Sequence, residues 1–389
     1  MTCYEAEPYH SDEKTFLKEL ALLKSIKSAV TVTLLTLDTP IEADKTLLDQ
    51  LGLKPDGWKM VSSTGDWRIE NFLDDFNQVF KEDFLSYIQN NKESLRLGGS
   101  VLTTLKSLLE KRPKITRGVC FAPVGETKGM NPEVSALIDY VNQERQKLVV
   151  DWEEQLSGRL VIKNISSPGL TPICVSFFNP RTGDRSMVLI KDEQKIKVPG
   201  QTTEDQGPRL VLADIRDFIQ PSFFDATVEF AAQPNTFTVI GLGTELIFPE
   251  AIDNIKDLLE KAQGEVAFSG NKGEVDALVS CWDGVSSPVE LIKAANLRFL
   301  LETNGQEGAT LYLRLEDDVY SANYLLSPEE IFEGDTTNAG DIFLAGVLAG
   351  LMEQTFQEGY VGTSLSEVLK NTSKETFDFL QSRKRRLSF

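Results

Sequence analysis

The chain has 389 residues, of which 41% are hydrophobic and 25% charged, and its formal net charge is −19. Its length and hydrophobic content allow one large α/β domain with an appendage, or two domains. The strong negative charge opposes non-specific binding to nucleic acid or to anionic lipid, and we expect neither as a partner. The sequence has no long apolar run and no secretory signal pattern, which predicts a cytoplasmic protein that does not cross a membrane.

Patterns typical of helices and strands alternate along the first half of the chain. Apolar residues at helical spacing predict helices over 12–28, 71–93, 100–111 and 131–156. Runs rich in β-branched and aromatic residues predict strands over 30–37, 117–122, 160–162, 173–178 and 186–190. The last two strands are separated by turn-forming residues, which favours a β-hairpin.

The same alternation continues in the second half. Strands are predicted over 210–213, 236–240, 297–302 and 309–313, and helices over 249–263 and 339–356. Strands that alternate with helices indicate an α/β fold with a largely parallel sheet that is covered on both faces. We therefore predict a single α/β domain over residues 1–389 with a small β appendage.

Histidine and cysteine are too few or too scattered for several common kinds of site. His10 is the only histidine, so any serine–histidine or cysteine–histidine catalytic device would have to use it. The cysteines show no C-x-x-C spacing, which argues against disulfides and against a structural zinc site; they are Cys3, Cys120, Cys174 and Cys281. The chemistry is thus expected to depend on carboxylates, hydroxyls, backbone amides and a bound metal ion.

The segment that opens the last apolar helix is the strongest candidate for such chemistry. It reads Gly334-Asp335-Thr336-Thr337-Asn338-Ala339-Gly340-Asp341. Small residues at 339 and 340 allow a ligand to approach the backbone, and the amides of a helix's first turn can hold an anion. A carboxylate at Asp341 could then accept a proton from a hydroxyl that attacks phosphorus. The alternative interpretation is an ordinary helix cap, with Asp335 or Asn338 as the capping residue.

This segment closely resembles the signature Asp-Thr-x-Gly-Ala-Gly-Asp of the ribokinase (PfkB) family of carbohydrate and nucleoside kinases. It matches at Asp335, Thr336, Ala339, Gly340 and Asp341, and it has Asn338 where the family usually has glycine. The resemblance implies a three-layer ribokinase-like fold with a small β lid, from about 30–40 and 160–190. It also implies that Asp341 is the catalytic base, that Asn338, Ala339 and Gly340 form the anion hole, and that ATP and Mg²⁺ take part.

Weaker resemblances follow in the order that the family has. Asp38, after the first strand, corresponds to the acid that binds substrate hydroxyls. Gly98 and Gly99 correspond to the family's Gly-Gly-x-x-x-Asn substrate motif, with Thr103 in place of asparagine. The turn within 302–309 resembles the part of the family that meets nucleotide phosphates, which implies a nucleotide-binding role for Thr303, Gly305 and Gly308.

A metal-organising acid is predicted from the same resemblance. The family has an Asn-x-x-Glu motif whose acid arranges water around magnesium. Glu245 could be this acid, with Leu242 in the asparagine position. Gly241 and Gly243 lack the third glycine of a dinucleotide-binding fingerprint, so a Rossmann cofactor site is not expected.

The resulting hypothesis is a kinase that transfers the γ-phosphoryl group of ATP to a hydroxyl of a sugar or related small molecule, with Asp341 as the general base. A nucleoside kinase of the adenosine type is the first alternative. The second is a catalytically silent relative that binds a sugar or nucleotide, suggested by the altered residues Asn338, Thr103 and Leu242. The resemblance also suggests a homodimer formed through the lid.

Overall fold

The computed structural model describes residues 20–54, 58–64, 67–179, 185–193, 207–218, 220–243, 249–332, 338–354 and 361–387. The chain divides into two compact units. Unit 1 comprises Met1–Val32, Ser100–Val119 and Pro199–Phe389, and unit 2 comprises Thr33–Gly99 and Cys120–Val198. The ranges predicted for the lid fall mainly in unit 2, and the interpretation of the chain as one domain with an appendage stays a prediction.

The secondary structure of both units is as follows. The strands are β1 (Ser28–Val32), β2 (Thr36–Glu42), β3 (Trp58–Val61), β4 (Arg96–Gly98), β5 (Arg117–Glu126), β6 (Leu160–Pro168), β7 (Ile173–Phe178), β8 (Arg185–Ile190), β9 (Arg209–Asp214), β10 (Thr236–Gly241), β11 (Glu265–Asn271), β12 (Phe299–Thr303), β13 (Ala309–Leu315) and β14 (Asp318–Tyr324). The α-helices are α1 (Ala21–Ser25), α2 (Lys45–Gln50), α3 (Ile69–Phe80), α4 (Phe84–Asn90), α5 (Ser100–Lys111), α6 (Pro132–Gln155), α7 (Pro221–Ala231), α8 (Pro249–Lys261), α9 (Lys272–Ser280), α10 (Pro288–Ala294), α11 (Ala339–Glu353) and α12 (Val361–Leu387).

Unit 1 is built on a mostly parallel sheet. Its strands follow the order β14-β13-β12-β11-β10-β9-β1. Strands β1, β9, β10, β11 and β12 pair in parallel, whereas β13 is antiparallel to both β12 and β14. Ile240 and Leu300 join an apolar cluster with helices α7 to α10. The alternate residues Val239 and Leu301 point to the opposite face and are buried as well. Helices therefore flank both faces, and the predicted mixed α/β fold is confirmed.

Helix α11 is fixed by close packing against α5 and α12. A Cβ at Gly346 would lie 2.6 Å from Cγ2 of Thr372, and a Cβ at Gly350 would lie 2.7 Å from Cγ1 of Val368. The two glycines thus let α12 approach the backbone of α11. This packing holds α11 in place, and with it the carboxylate of Asp341 in its first turn.

Unit 2 contains a five-stranded sheet in the order β3-β8-β7-β2-β4. Leu37, Ile41 and Val175 point from this sheet into an apolar core that also contains residues of α3, α4 and α6. Asp38 alternates with Leu37 and therefore lies on the other face. One face of the sheet packs against the core of unit 2, while the other carries Asp38, a predicted substrate residue.

Most predicted elements within the described residues are confirmed. The helix predicted over 12–28 lies partly outside them, and its described part, α1, ends at Ser25, before β1. The strand predicted over 30–37 is wrong in extent. It is two strands, β1 in the large sheet and β2 in the five-stranded sheet. Thr33–Leu35 form the connection between them. A continuous run of β-branched and apolar residues contains no turn signal, because the connecting residues are themselves buried.

The helix predicted over 71–93 is also wrong in extent, because the chain forms α3 and α4 there. Lys81 ends α3 in the left-handed conformation, with φ 57°. Asp83 then caps α4 by accepting a hydrogen bond from the amide of Ser86 at 2.9 Å. Both helices present aromatic residues to the same core, so the apolar spacing continues across the break and conceals it.

Gly98 leaves room for the carboxylate of Asp38 because it has no side chain. Thr36 and Gly98 are opposite each other in β2 and β4, and Thr36 Oγ1 donates to Asp38 Oδ1 at 2.6 Å. A Cβ at Gly98 would lie 2.0 Å from the same carboxylate oxygen. We therefore expect Gly98→Ala to reduce the free energy of unfolding by about 1–3 kcal/mol, the usual cost of overpacking, as measured by urea unfolding.

The clash predicted at position 98 involves side-chain atoms, so the cost should be smaller in an Asp38→Ala background. Gly207→Ala is the control, because a Cβ there meets no described atom within 4 Å, and its effect should stay within about 0.5 kcal/mol. An equal cost of Gly98→Ala with and without the Asp38 carboxylate would contradict this explanation.

Candidate active site

Helix α11 begins at an unusual residue. Asn338 is its N-cap and adopts the left-handed conformation, with φ 65° and ψ 7°, and its side chain makes no capping hydrogen bond. Asparagine is among the non-glycine residues that tolerate this conformation best. Asn338, at the position where the ribokinase signature usually has glycine, is therefore compatible with a left-handed backbone at this point.

The first turn of α11 leaves space beside its backbone. Ala339 is partly exposed and Gly340 is exposed. A Cβ at Gly340 would meet no atom of the described residues within 4 Å, so packing among those residues does not require a glycine. Asp335 and Thr336 lie outside the described residues, and the role of Asn338, Ala339 and Gly340 as an anion hole stays a prediction.

Asp341 is held by the first turn of a second helix, α5. Ser100 Oγ donates a hydrogen bond to Asp341 Oδ1. Thr104, one turn further along α5, places its hydroxyl 3.2 Å from the carbonyl oxygen of Ser100 and 3.3 Å from that of Asp341. The side chain and the backbone of Asp341 are thus both tied to α5. Ser100 was not predicted as a site residue, although it directly follows Gly98 and Gly99 in the sequence.

The surroundings of Asp341 change its acidity. Burial raises the pKa of Asp341 from 3.8 to about 7, and the Ser100 hydrogen bond opposes this change. The charges of Asp214 and Glu274 raise the pKa further, whereas the charge of Arg216 lowers it. Asp214 ends β9, and Glu274 follows β11 in the first turn of α9. Asp341 is therefore electrostatically coupled to the carboxyl ends of parallel strands, where ligands bind in open α/β sheets.

An Asn-x-x-Glu spacing is also present among the described residues, at the end of β11. Glu245 lies outside the described residues. Asn271-Lys272-Gly273-Glu274 has this spacing and begins at the last residue of β11. Asn271 Oδ1 accepts from the amide of Glu274 at 2.9 Å, and Glu274 Oε2 accepts from the amide of Asn271 at 2.8 Å, which is a capping box. Strand β11 was not among the predicted strands, so this spacing was not assigned from the sequence, and the role of Glu245 stays a prediction.

The donor set at this edge fits a hydrated Mg²⁺ better than a metal enclosed by protein. Within the described part of the chain, no three His, Cys, Asp or Glu side chains are grouped so that they could hold a metal ion. Mg²⁺ normally keeps several waters and binds through one or two carboxylates and substrate phosphates. Glu274 is oriented by its capping box and could hold such an ion through water.

Thr303, one of the predicted nucleotide residues, lies next to this motif. Thr303 is paired with Asn271 between β12 and β11, and its hydroxyl is 3.4 Å from the carbonyl oxygen of Gly270. Gly305 and Gly308 have positive φ, and a Cβ at Gly308 would lie 1.9 Å from the carbonyl oxygen of Tyr324. Packing against β14 therefore explains the glycine at 308, and a nucleotide-binding role for these three residues stays a prediction.

Of the predicted substrate residues, Asp38 and Gly98 are brought together on the five-stranded sheet of unit 2. Gly99 has φ 114°, a conformation that favours glycine. Thr103 is a partly exposed residue of α5 in unit 1. Substrate binding by these four residues stays a prediction.

Comparisons with known proteins identify the fold. No protein-family model and no curated protein sequence matches the chain. Solved structures that match include adenosine kinase from Anopheles gambiae, with 17% identity, 90% of this chain and 95% of that chain covered, and a TM-score of 0.60. Adenosine kinase from Sinorhizobium meliloti has 15% identity, coverage of 90% and 92%, and a TM-score of 0.62. A probable sugar kinase from Rhizobium etli has 14% identity, coverage of 89% and 98%, and a TM-score of 0.52.

These structures share the α/β fold of the chain over nearly its whole length.

Among the described helices, none is long and apolar enough to cross a membrane.

The raised pKa of Asp341 predicts a pH-dependent cost to stability. Between about pH 4 and 7, Asp341 is ionised in the unfolded chain but protonated in the folded chain. The free energy of unfolding therefore falls as the pH rises through this range. Asp341→Asn removes that loss and retains an acceptor for Ser100. At about 1.4 kcal/mol for each tenfold change in proton affinity, the variant should be more stable by as much as about 4 kcal/mol at pH 8.

Urea unfolding of both proteins between pH 4 and 8 measures this difference, which should grow through that range. A stability difference that does not change with pH would show that the pKa of Asp341 is the same in the folded and unfolded chain.

Proposed function

We propose that the chain is an ATP-dependent kinase of the ribokinase type, which transfers the γ-phosphoryl group to a hydroxyl of a small-molecule acceptor. The observation that carries the proposal is the setting of the Asp341 carboxylate, which accepts a hydrogen bond from the Ser100 hydroxyl. Burial raises the pKa of this carboxylate to about 7. A general base is most effective when its pKa lies near the working pH. Asp341 is then a base that remains partly deprotonated at neutral pH and binds a proton strongly enough to remove it from a hydroxyl.

In the proposed reaction, Asp341 accepts the proton of the acceptor hydroxyl. The acceptor oxygen forms a bond to the γ-phosphorus, and the bond between that phosphorus and the β,γ-bridging oxygen breaks, leaving its electron pair on ADP. The amides of Asn338, Ala339 and Gly340 would stabilise the charge on the transferred group, because they begin a helix whose dipole favours anions. Mg²⁺, held through water by Glu274, would neutralise part of the triphosphate charge.

The predicted acceptor residues have chemistry that matches hydroxyl binding. A carboxylate such as Asp38 accepts two hydrogen bonds from neighbouring hydroxyls. Gly99 is partly exposed, so an acceptor can lie close to its backbone, whereas Gly98 leaves room for the Asp38 carboxylate. Thr103 offers a hydroxyl where the family has an amide. Thr303, Gly305 and Gly308 are assigned to the nucleotide on the family resemblance.

A nucleoside is a better candidate acceptor than a free sugar. Asp38 aligns with Cys174, Leu189 and Met60 across β2, β7, β8 and β3, and aligned residues share a face of the sheet. Met60 is 46% exposed, and Cys174 and Leu189 are partly exposed. One carboxylate beside apolar side chains matches a molecule with hydroxyls at one end and an apolar ring at the other. A solved structure with this fold, adenosine kinase from Schistosoma mansoni, is in complex with adenosine and AMP.

A panel of acceptors tests the proposal. With ATP and Mg²⁺, the wild type should phosphorylate adenosine faster than ribose or fructose, measured as ADP release and as a phosphorylated product in mass spectrometry. Asp341→Asn should lower kcat by about 10²- to 10⁴-fold, the usual contribution of a general base. Asp257→Asn is the control, because Asp257 pairs with Lys261 on the surface of α8, and it should leave kcat unchanged.

Two results would reject parts of the proposal. If the wild type binds ATP and phosphorylates no acceptor in the panel, the chain is a silent binding relative. If Asp341→Asn retains the wild-type kcat, Asp341 is not the base.

A further inference from the structure

The Asp214–Arg216 pair is an ion pair with a fixed geometry at the end of β9. Arg216 Nε lies 2.9 Å from Asp214 Oδ1, and Arg216 Nη2 lies 2.5 Å from Asp214 Oδ2. The amide of Arg216 donates to Asp214 Oδ1 at 2.8 Å. The Asp214 side chain is 4% exposed, whereas that of Arg216 is 47% exposed. A buried carboxylate therefore holds a guanidinium whose other side reaches solvent.

The neighbouring strand end is shaped around this pair. Gly243, just after β10, has φ 56°, and a Cβ there would lie 2.7 Å from Arg216 Nε and 2.9 Å from Asp214 Oδ1. β9 and β10 are parallel, with Asp214 paired to Gly241. The pair thus occupies the carboxyl edge of the sheet, and any side chain at 243 would crowd it.

The charges that act on Arg216 identify its surroundings. The pKa of Arg216 is raised, first by Asp214 and then, with smaller effects, by Asp217 and Asp341. Among the described residues, Arg216 is the cation whose charge acts on the pKa of Asp341. An edge with several carboxylates would repel a triphosphate unless a cation opposed them, and a planar guanidinium binds phosphate oxygens through two parallel hydrogen bonds.

We propose that Arg216 is a catalytic residue that contacts the γ-phosphoryl group of the donor, with Asp214 as the residue that positions it. The inference rests on the proposed kinase function. As the acceptor oxygen bonds to phosphorus and the bond to ADP breaks, negative charge spreads over the three non-bridging oxygens, and the guanidinium stabilises it there. Asp214 fixes the guanidinium beforehand, so little side-chain freedom is lost when phosphate binds.

If Arg216 contacts the γ-phosphate, its replacement should weaken binding of a nucleoside triphosphate more than binding of ADP. Titration calorimetry with Mg²⁺ compares a non-hydrolysable ATP analogue with ADP. Arg216→Gln should reduce the preference for the analogue by about 10- to 100-fold, the range for a hydrogen bond to a charged group, and should lower kcat by about 10³-fold. Arg216→Lys should recover only part of both, because an ammonium cannot bond to both oxygens of Asp214 and to phosphate in the same way.

Arg298→Gln is the matched control. Arg298 Nη2 pairs with Glu265 Oε1 at 2.9 Å, directly before β12 and at the first residue of β11, so this pair lies at the amino edge of the same sheet. Its loss should reduce stability but leave the preference for the γ-phosphate unchanged. This control separates a contact with phosphate from the removal of any paired arginine.

The possible outcomes distinguish this inference from the kinase proposal. If Arg216→Gln keeps the wild-type preference, Arg216 is only the partner of Asp214 and the inference is overturned, whether or not the wild type is a kinase. If the preference is lost but the wild type phosphorylates no acceptor, the γ-phosphate contact stands and the kinase proposal fails. A wild type that binds neither nucleotide overturns both.

Discussion

A carboxylate in the first turn of a buried helix must lose part of its hydration, and this constraint governs the site around Asp341. Burial raises its pKa to about 7, and the hydrogen bond from Ser100 limits the rise. The helix dipole and the amides of the first turn favour an anion at the same place. Helices α5 and α11 are joined through this residue by bonds to its side chain and to its carbonyl oxygen. The packing of α11 against α12 then keeps the carboxylate in a position that its own energetics disfavour.

The distribution of charge explains how an acidic protein could act on a triphosphate. The net charge of −19 opposes nucleotide binding, and Asp214 and Glu274 add negative potential at Asp341. Arg216 opposes that potential, and its position is set by a buried partner and by the absence of a side chain at Gly243. Burial is the largest cause of the raised pKa of Asp341, and these charges adjust it. In the proposed reaction Arg216 would also be the cation that contacts phosphate. The cost of this arrangement is a carboxylate whose ionisation destabilises the fold.

The sequence allowed the α/β class, the hairpin of unit 2 and helix α11 to be predicted, because each has strong periodicity or clear turn residues. It did not allow the division of 30–37 between two sheets, since a buried connection has no local signal. Ser100 and Arg216 were not predicted for a similar reason. Ser100 is notable because it donates to Asp341, and Arg216 because it pairs with Asp214; no local sequence pattern indicates either contact. The Asn271-x-x-Glu274 spacing was present in the sequence but was not assigned, because strand β11 was not predicted.

The pH dependence of kcat/KM for phosphorylation of adenosine tests the central claim, that Asp341 is a base whose pKa is raised by burial. The wild type should lose activity towards low pH with a midpoint near pH 7. Ser100→Ala removes a hydrogen bond that lowers this pKa, so its midpoint should move to higher pH. The phosphates of ATP titrate identically with both enzymes and cannot produce such a movement. A midpoint near pH 4 in the wild type, or an identical midpoint in both proteins, would contradict the account.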